Sequence, residues 1–309
     1  MRKEKHKIGV IESHFLDSGA FSQWALAIKW HKENPDKEKW GYYKLPEFFE
    51  YMDSYIAFVK KYKKAIDLYA NLDVIGNPEL SWKNQKYMEK KGMKPVPVVH
   101  CGTSKKWLKK YIEEGYEIIG IGGLAGKMSS RVRRSWLDSY FHVICNTPNK
   151  KPKVKIHGFG IIAFDMLWRY PWWSVDSTAW DKIASYGGII VPQKRRGKFV
   201  FNVKPYLMKI SMESPQKETK NHYLSFHKSK PFYRELIEEW LELIDIPLGK
   251  FKVKKDKEIE VIEKGAVTFH AYRRIANLKY YDKMVKDLPK WPWPFKVKKS
   301  IKKKRGLLY

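Results

Sequence analysis

Residues 95–125 read PVPVVHCGTSKKWLKKYIEEGYEIIGIGGLA, and their pattern decides the fold. Pro95 to His100 is a short apolar run of the kind found in strands buried on both faces. Ser104 stands where a helix N-cap belongs, ahead of Trp107, Leu108, Tyr111 and Ile112 on one helical face. Glu117 to Gly122 (EIIGIG) is a second strand run, closing on Gly122-Gly123-Leu124-Ala125. Strand, amphipathic helix, strand is a parallel βαβ unit, because a parallel pair needs a long crossover where an antiparallel pair needs only a hairpin.

The same rhythm runs outward from this unit. Upstream, Ala65 to Val74 (AIDLYANLDV) is strand-like and closes on Gly76-Asn77-Pro78. Before it, Glu47 to Tyr62 carries Phe48, Met52, Tyr55, Ile56 and Val59 at helical spacing, with Pro46 ahead of the first turn. The opening run, Ile8 to Phe21, reads as extended and ends in the turn chemistry of Asp17-Ser18-Gly19. Downstream come a basic helix around Arg131 to Tyr140, the strand runs Val154 to Gly160 (VKIHGFG) and Trp172 to Ser177 (WWSVDS), and Gly188 to Val191 (GIIV). Seven strands are counted, and an eighth is expected in Lys198 to Val203 or in a split of the first run. The expected fold is α/β, a (β/α)8 TIM barrel over residues 1–245. Residues 246–309 are expected to form a helical, basic C-terminal extension with a Lys-rich tail. Beyond Pro205 the pattern changes, and Pro231 to Ile244 predicts a helix with Phe232, Leu236, Trp240 and Leu243 on one face. Lys250 to Lys264 reads as a solvated hairpin or loop, and Val267 to Leu278 as a further helix.

Composition narrows the function classes. Lys and Arg number 62 against 33 Asp and Glu, a formal charge of +29, and aromatic residues make up 15%. Such an excess, interleaved with rings, points to a polyanion, and nucleic acid first. The plain alternative is a lysine-rich composition with no partner. Two cysteines, Cys101 and Cys145, exclude a disulfide scaffold and any Cys-rich zinc site. His222 and His227 have no third ligand nearby in sequence, so no metal is expected, and no cofactor. No apolar run reaches the length of a membrane span, and the first residues lack a signal-peptide core. A cytoplasmic location is expected.

Asp17, Asp73, His100, Gly122, Gly158 and Asp176 all fall at the C-terminal ends of expected strands, the rim on which (β/α) barrels build chemistry. Two carboxylates on separate strands can divide one glycosidic bond between nucleophile and general acid/base. Each residue also has a plainer reading. Asp17 suits a turn cap, Asp73 ordinary loop chemistry before Gly-Asn-Pro, and the glycine pair a tight turn. His100 and His157 suit a core, as do Trp172 and Trp173.

The motifs are more specific than the constellation. LDSGAFS (Leu16 to Ser22) resembles the DSGGFQ signature of tRNA-guanine transglycosylases, and GIGGLAG (Gly120 to Gly126) their GGLAVGE loop. VPVVHCGT (Val96 to Thr103) stands where that family has a strand ending in Gln and Gly-Gly. HGFGI (His157 to Ile161) resembles the strand before the nucleophile, and SVDST (Ser174 to Thr178) stands at the nucleophile itself. The five agree in order over Leu16 to Val191. The resemblance implies Asp176 as nucleophile at C1′ and Asp17 as general acid/base. It places Asp73 on the pyrimidine edge of guanine, with Ser18, Gly122, Gly123, Leu124 and Phe159 around the base. His100 stands in place of a Gln, and Trp172 and Trp173 are further candidates for pocket walls. The family's zinc subdomain is missing, since no cysteine follows Cys145. The zinc-free, lysine-rich form looks like the DNA-modifying branch, the DpdA-like DNA 7-deazaguanine transglycosylases of phages and bacterial islands. The implied partners are DNA ahead of tRNA and a free 7-deazaguanine base such as preQ0. Lys302, Lys303, Lys304 and Arg305 of the tail would track phosphate, or be a solvated tail. Three alternatives stay open: a tRNA-guanine transglycosylase, a deazaguanine nucleoside hydrolase, and a non-catalytic nucleic-acid-binding barrel.

Overall fold

A computed structural model describes residues 14–124, 129–161, 163–213, 231–254 and 258–289. The chain is mixed α/β and divides into two compact units.

The first unit holds the described residues through Gly160 and the short return Trp172–Val175. Its strands are β1 (Phe15–Leu16), β2 (Leu68–Tyr69), β3 (Val98–His100), β4 (Ile118–Gly122), β5 (Lys155–Gly158) and β6 (Ser174–Val175). β1 pairs with β2 in parallel, and a parallel bridge from Ala70 to Val96 carries the line towards β3. β3, β4, β5 and β6 then pair in that order, every pair parallel. Neighbours in space are thus neighbours in sequence. The crossovers contain α1 (Ala20–Glu33), α2 (Pro46–Lys61), α3 (Pro78–Lys90), α4 (Lys105–Glu113) and α5 (Ser130–Ile144).

The helices form where apolar spacing and caps agree. In α2, Pro46 occupies the first turn and the whole expected face, Phe48, Met52, Tyr55, Ile56 and Val59, is buried. It joins Leu72, Val74, Met88 and Met93 in one core, where each large side chain taken from water contributes roughly 2 kcal/mol. Ser104 caps α4 as its sequence predicts, accepting from Lys106 N at 3.3 Å. Helix α1 departs from the sequence reading, which has the chain extended as far as Phe21. Residues 8–13 lie outside the described residues, β1 spans Phe15–Leu16, and the helix begins at Ala20. Apolar side chains occur all round α1, with Phe21, Leu26 and Ile28 exposed, so it has no single stripe to read.

The second unit lies within Ile161–Pro171 and Asp176–Lys296. It contains α6 (Phe164–Arg169), α7 (Ala179–Ser185), β7 (Gly188–Val191), β8 (Gln193–Arg195), β9 (Lys198–Val200) and β10 (Tyr206–Lys209). Then follow α8 (Pro231–Leu243), β11 (Lys250–Val253), β12 (Ile259–Glu263) and α9 (His270–Lys286). Lys198–Val200 is not a parallel eighth strand. It closes an antiparallel hairpin on β8, because Arg196 (φ 49°) and Gly197 (φ 76°) are both left-handed, the conformation of a two-residue hairpin turn. The expected face of α8 is also rotated. Leu236, Ile237, Trp240 and Leu241 are buried, whereas Phe232 and Leu243 are more than half exposed. The charge run at Lys250 to Lys264 does form a hairpin, antiparallel with a bulge at Lys250/Phe251. Among the described residues no helix is long and apolar enough to cross a membrane.

Helix α9 is tied to β7 and α7 by one fully buried amide. Asn277 Oδ1 accepts from Ile190 N at 2.7 Å, and its Nδ2 donates to Trp180 O at 2.9 Å. Asn277→Ala strands a buried backbone donor, worth roughly 1–3 kcal/mol, and a part-buried acceptor worth less. Urea unfolding followed by circular dichroism should show a loss of about 3 kcal/mol, well beyond that of an exposed change such as Asn149→Ala.

Candidate active site

In parallel βα units all strands end on one side, and the candidate residues of the first unit lie along that side. Asp17 follows β1 and is exposed, while Ser18 beside it is 1% exposed. Two tyrosines of α2, one turn apart, clamp this corner. Tyr51 Oη donates to Ser18 O at 2.9 Å and Tyr55 Oη to Ala70 O at 2.9 Å. Burial raises both phenol pKa values and the Asp17 charge raises them further, so both stay protonated donors. Gly19 is left-handed (φ 76°), and a Cβ there would come within 2.3 Å of Tyr51 Oη. Only glycine fits. Helical periodicity reads Tyr55 as part of the apolar face and passes over Tyr51; a tyrosine pair at i, i+4 is the signal that marks the two.

At the next strand ends, Asp73 is 4% exposed and His100 8%. Asp73 Oδ2 makes a short contact to His100 Nε2. A carboxylate only accepts, so this contact places the proton on Nε2 and fixes the ring. The His100 ring leans on the glycine pair. A Cβ at Gly122 would meet Cε1 at 2.9 Å, and one at Gly123 (φ 69°) would meet Nδ1 at 3.2 Å. The glycines are the shelf for an imidazole, with Leu124 buried beside them at 3% exposed. Thr103 Oγ1 donates to His100 O at 2.7 Å, and Tyr140 Oη of α5 donates to Thr103 O at 2.9 Å. Burial pushes the Cys101 thiol up to about 11, against a smaller opposing effect of the Arg133 charge. It is no ready thiolate.

At β5 and β6, His157 Nδ1 is 2.8 Å from Ser174 Oγ. Its ring stands 4.4 Å from those of both Phe15 and Phe159, centroid to centroid. Phe159 also covers Gly120, where a Cβ would lie 2.6 Å from its ring. The two tryptophans are placed differently. Trp172 sets its ring edge-on to Phe141 of α5 at 4.9 Å. Trp173 is 45% exposed and lies beside Lys155, at the start of β5 and away from the strand ends. Neither is arranged as a wall at the rim.

Buried polar atoms without a hydrogen-bond partner gather in this unit. They include Ser18 Oγ, His100 Nδ1, His157 Nε2 and the hydroxyls of Tyr43 and Tyr111, both of which feel the Asp73 charge. Such atoms cost free energy unless water or a ligand meets them. Asp176 follows β6 in the chain, is exposed, and belongs to the second unit. Ser177 Oγ accepts from Ala179 N at 3.1 Å, at the start of α7. Lys302, Lys303, Lys304 and Arg305 lie outside the described residues. Comparison of the chain with protein-family models, with curated proteins and with solved structures gives no match.

Burial lowers the His157 pKa from 6.5 to about 4, so the folded protein holds a neutral ring. The unfolded chain binds this proton first as pH falls. The stability His157 contributes is thus intact above about pH 6.5 and is lost from there down to about pH 4. The span corresponds to about 3 kcal/mol. Unfolding measured across that window should steepen accordingly, and His157→Gln should flatten this part of the profile.

Proposed function

We propose that this protein exchanges a guanine-type base in nucleic acid, as a glycosyltransferase of the guanine transglycosylase type built on a (β/α)8 barrel. One observation carries the reading. The residues that resemble the family's motifs fall, one after another, at the C-terminal ends of successive strands paired in parallel and in chain order. Asp17 follows β1, Asp73 lies beyond β2, His100 ends β3, Gly122 ends β4, Phe159 follows β5, and Asp176 follows β6.

In the proposed reaction the Asp176 carboxylate attacks C1′ of the nucleotide. The C1′–N9 bond breaks, and Asp17 delivers a proton to the departing base. The sugar is then held as an aspartyl ester. Asp17 takes the N9 proton of the incoming base, whose nitrogen attacks C1′ and releases Asp176. Two displacements retain the configuration, and the ester conserves the energy of the glycosidic bond, so no nucleotide cofactor is consumed. His100, fixed by Asp73, and the backbone of Gly122 and Gly123 face the base. DNA is favoured over tRNA as substrate, with a 7-deazaguanine such as preQ0 as the incoming base. The net charge of +29 supports a nucleic-acid substrate of either kind.

The test offers labelled guanine and, separately, preQ0 to the purified protein with duplex DNA or tRNA, then digests to nucleosides for mass spectrometry. Label should enter DNA. Asp176→Asn should abolish exchange, and Asp17→Asn should lower kcat by roughly 10²–10⁴-fold. Label in tRNA alone would overturn the choice of DNA. Wild-type exchange by Asp176→Asn would overturn the nucleophile. Salt-sensitive binding without exchange on either substrate would identify a non-catalytic binder.

A further inference from the structure

The basic helix singled out in the sequence is α5, and the proposed chemistry makes no use of it. Ser129 caps it, accepting from Val132 N at 3.3 Å, and its first turn holds no acidic residue. Arg131 and Arg134 are exposed and Arg133 is half-buried, while Asp138 is the only acidic residue of the helix. Trp136, half-buried, stacks on the buried Tyr140 with ring centroids 3.6 Å apart. Helix α4 packs beside α5. Its own Ser-capped first turn brings Lys105 and Lys106, both exposed, and again no acid.

The placement of these cations follows from the helix geometry. Tyr140, in the third turn, is the α5 residue that reaches Thr103 in the loop after β3. Helical side chains lean towards the N-terminus and the helix rises about 1.5 Å per residue. The turn carrying Arg131 to Arg134 therefore projects past that loop, on the side where the strands end. The Arg133 charge acts on Cys101, next to His100. A second observation points to a ligand at the ends of β3 and β4, from which the chain runs on to α4 and α5. The His100 side chain is nine-tenths buried, and its Nδ1 has no partner. Nδ1 faces Gly123, whose absent Cβ would also lie 3.3 Å from Cys101 N. The unmet atom thus lies beside Gly123 and Cys101, the residues that follow β4 and β3.

We propose that the first turns of α5 and α4 hold the sugar-phosphate backbone of a nucleic-acid strand, with Arg131 and Arg134 on phosphates and Lys105 and Lys106 flanking them. The choice of nucleic acid as ligand rests on the base-exchange reading. Arginine presents a planar fork that matches phosphate oxygens, and backbone contacts of this kind set position without reading sequence.

Binding of labelled duplex DNA and of tRNA to the full chain is measured by fluorescence anisotropy between about 50 and 200 mM salt. For Arg131→Gln/Arg134→Gln the slope of log K against log salt on duplex DNA should become shallower by about 1.8, two contacts at about 0.9 each. Arg131→Lys/Arg134→Lys should keep most of the slope. Lys60→Gln/Lys61→Gln, at the opposite end of α2, should leave it unchanged. An unchanged slope in the Arg131→Gln/Arg134→Gln protein, or an equal change in the Lys60→Gln/Lys61→Gln protein, overturns the proposal. Base exchange assayed on the same proteins separates the two readings. A changed slope in a chain that exchanges no base supports the surface and sinks the chemistry. Exchange with an unchanged slope does the reverse.

Discussion

Parallel pairing is the constraint on which the first unit depends. A parallel strand cannot return by a tight turn, so each pair from β1 to β6 requires a crossover, and every strand end falls on one side. The strands themselves are short, two residues in β1, β2 and β6 and at most five in β4. Such short ladders leave much of the neighbouring backbone without a strand partner, and buried backbone must find one elsewhere.

Polar side chains from the helices meet that need. Helix α3 buries Ser81, Asn84 and Gln85 beside Met88, a polar face where an apolar stripe would be usual. Ser81 Oγ accepts from Val74 N at 2.9 Å, Asn84 Nδ2 donates to Leu72 O at 2.8 Å, and Gln85 Nε2 donates to Pro95 O at 3.0 Å. Together with Tyr55 of α2, Asn84 and Ser81 hold the irregular chain from Ala70 to Val74 in place of a longer ladder. The position of Asp73 is thus set by α3 before His100 touches it. A rim built in this way can carry irregular, functional backbone on very little sheet.

Where apolar spacing carries the signal, the sequence is readable. The buried face of α2, the Ser104 cap and the strand runs at 98–100 and 118–122 follow from periodicity and cap chemistry alone. Helix α1 does not, because its apolar residues surround it, and the face of α8 is rotated because its buried seam runs through Ile237 and Leu241 as well as Leu236 and Trp240. The hairpin of β8 and β9 depends on a left-handed Arg196, a conformation arginine does not advertise. At the site, the strand-end positions of Asp17, Asp73, His100 and Gly122 are legible from the runs that precede them. The partnership of Asp73 with His100 is not, since it joins residues of neighbouring strands whose approach only the pairing of Ala70 with Val96 creates.

Exposure sets Asp73 apart from the other two carboxylates, as the sequence reading does. Asp17 and Asp176 are exposed, whereas Asp73 is 4% exposed and engaged with an imidazole. A group that must form and break a bond at a sugar carbon, or pass a proton to a leaving base, has to be reachable by substrate. A group that fixes a tautomer works better enclosed, where the hydrogen bond is strong and water does not compete. On the proposed reading, this burial pattern suits the chemistry assigned to Asp17 and Asp176 and a positioning role for Asp73. It also accounts for the glycine shelf: an imidazole held from below by Asp73 needs Gly122 and Gly123 beside it, because a Cβ at either position would press against the ring.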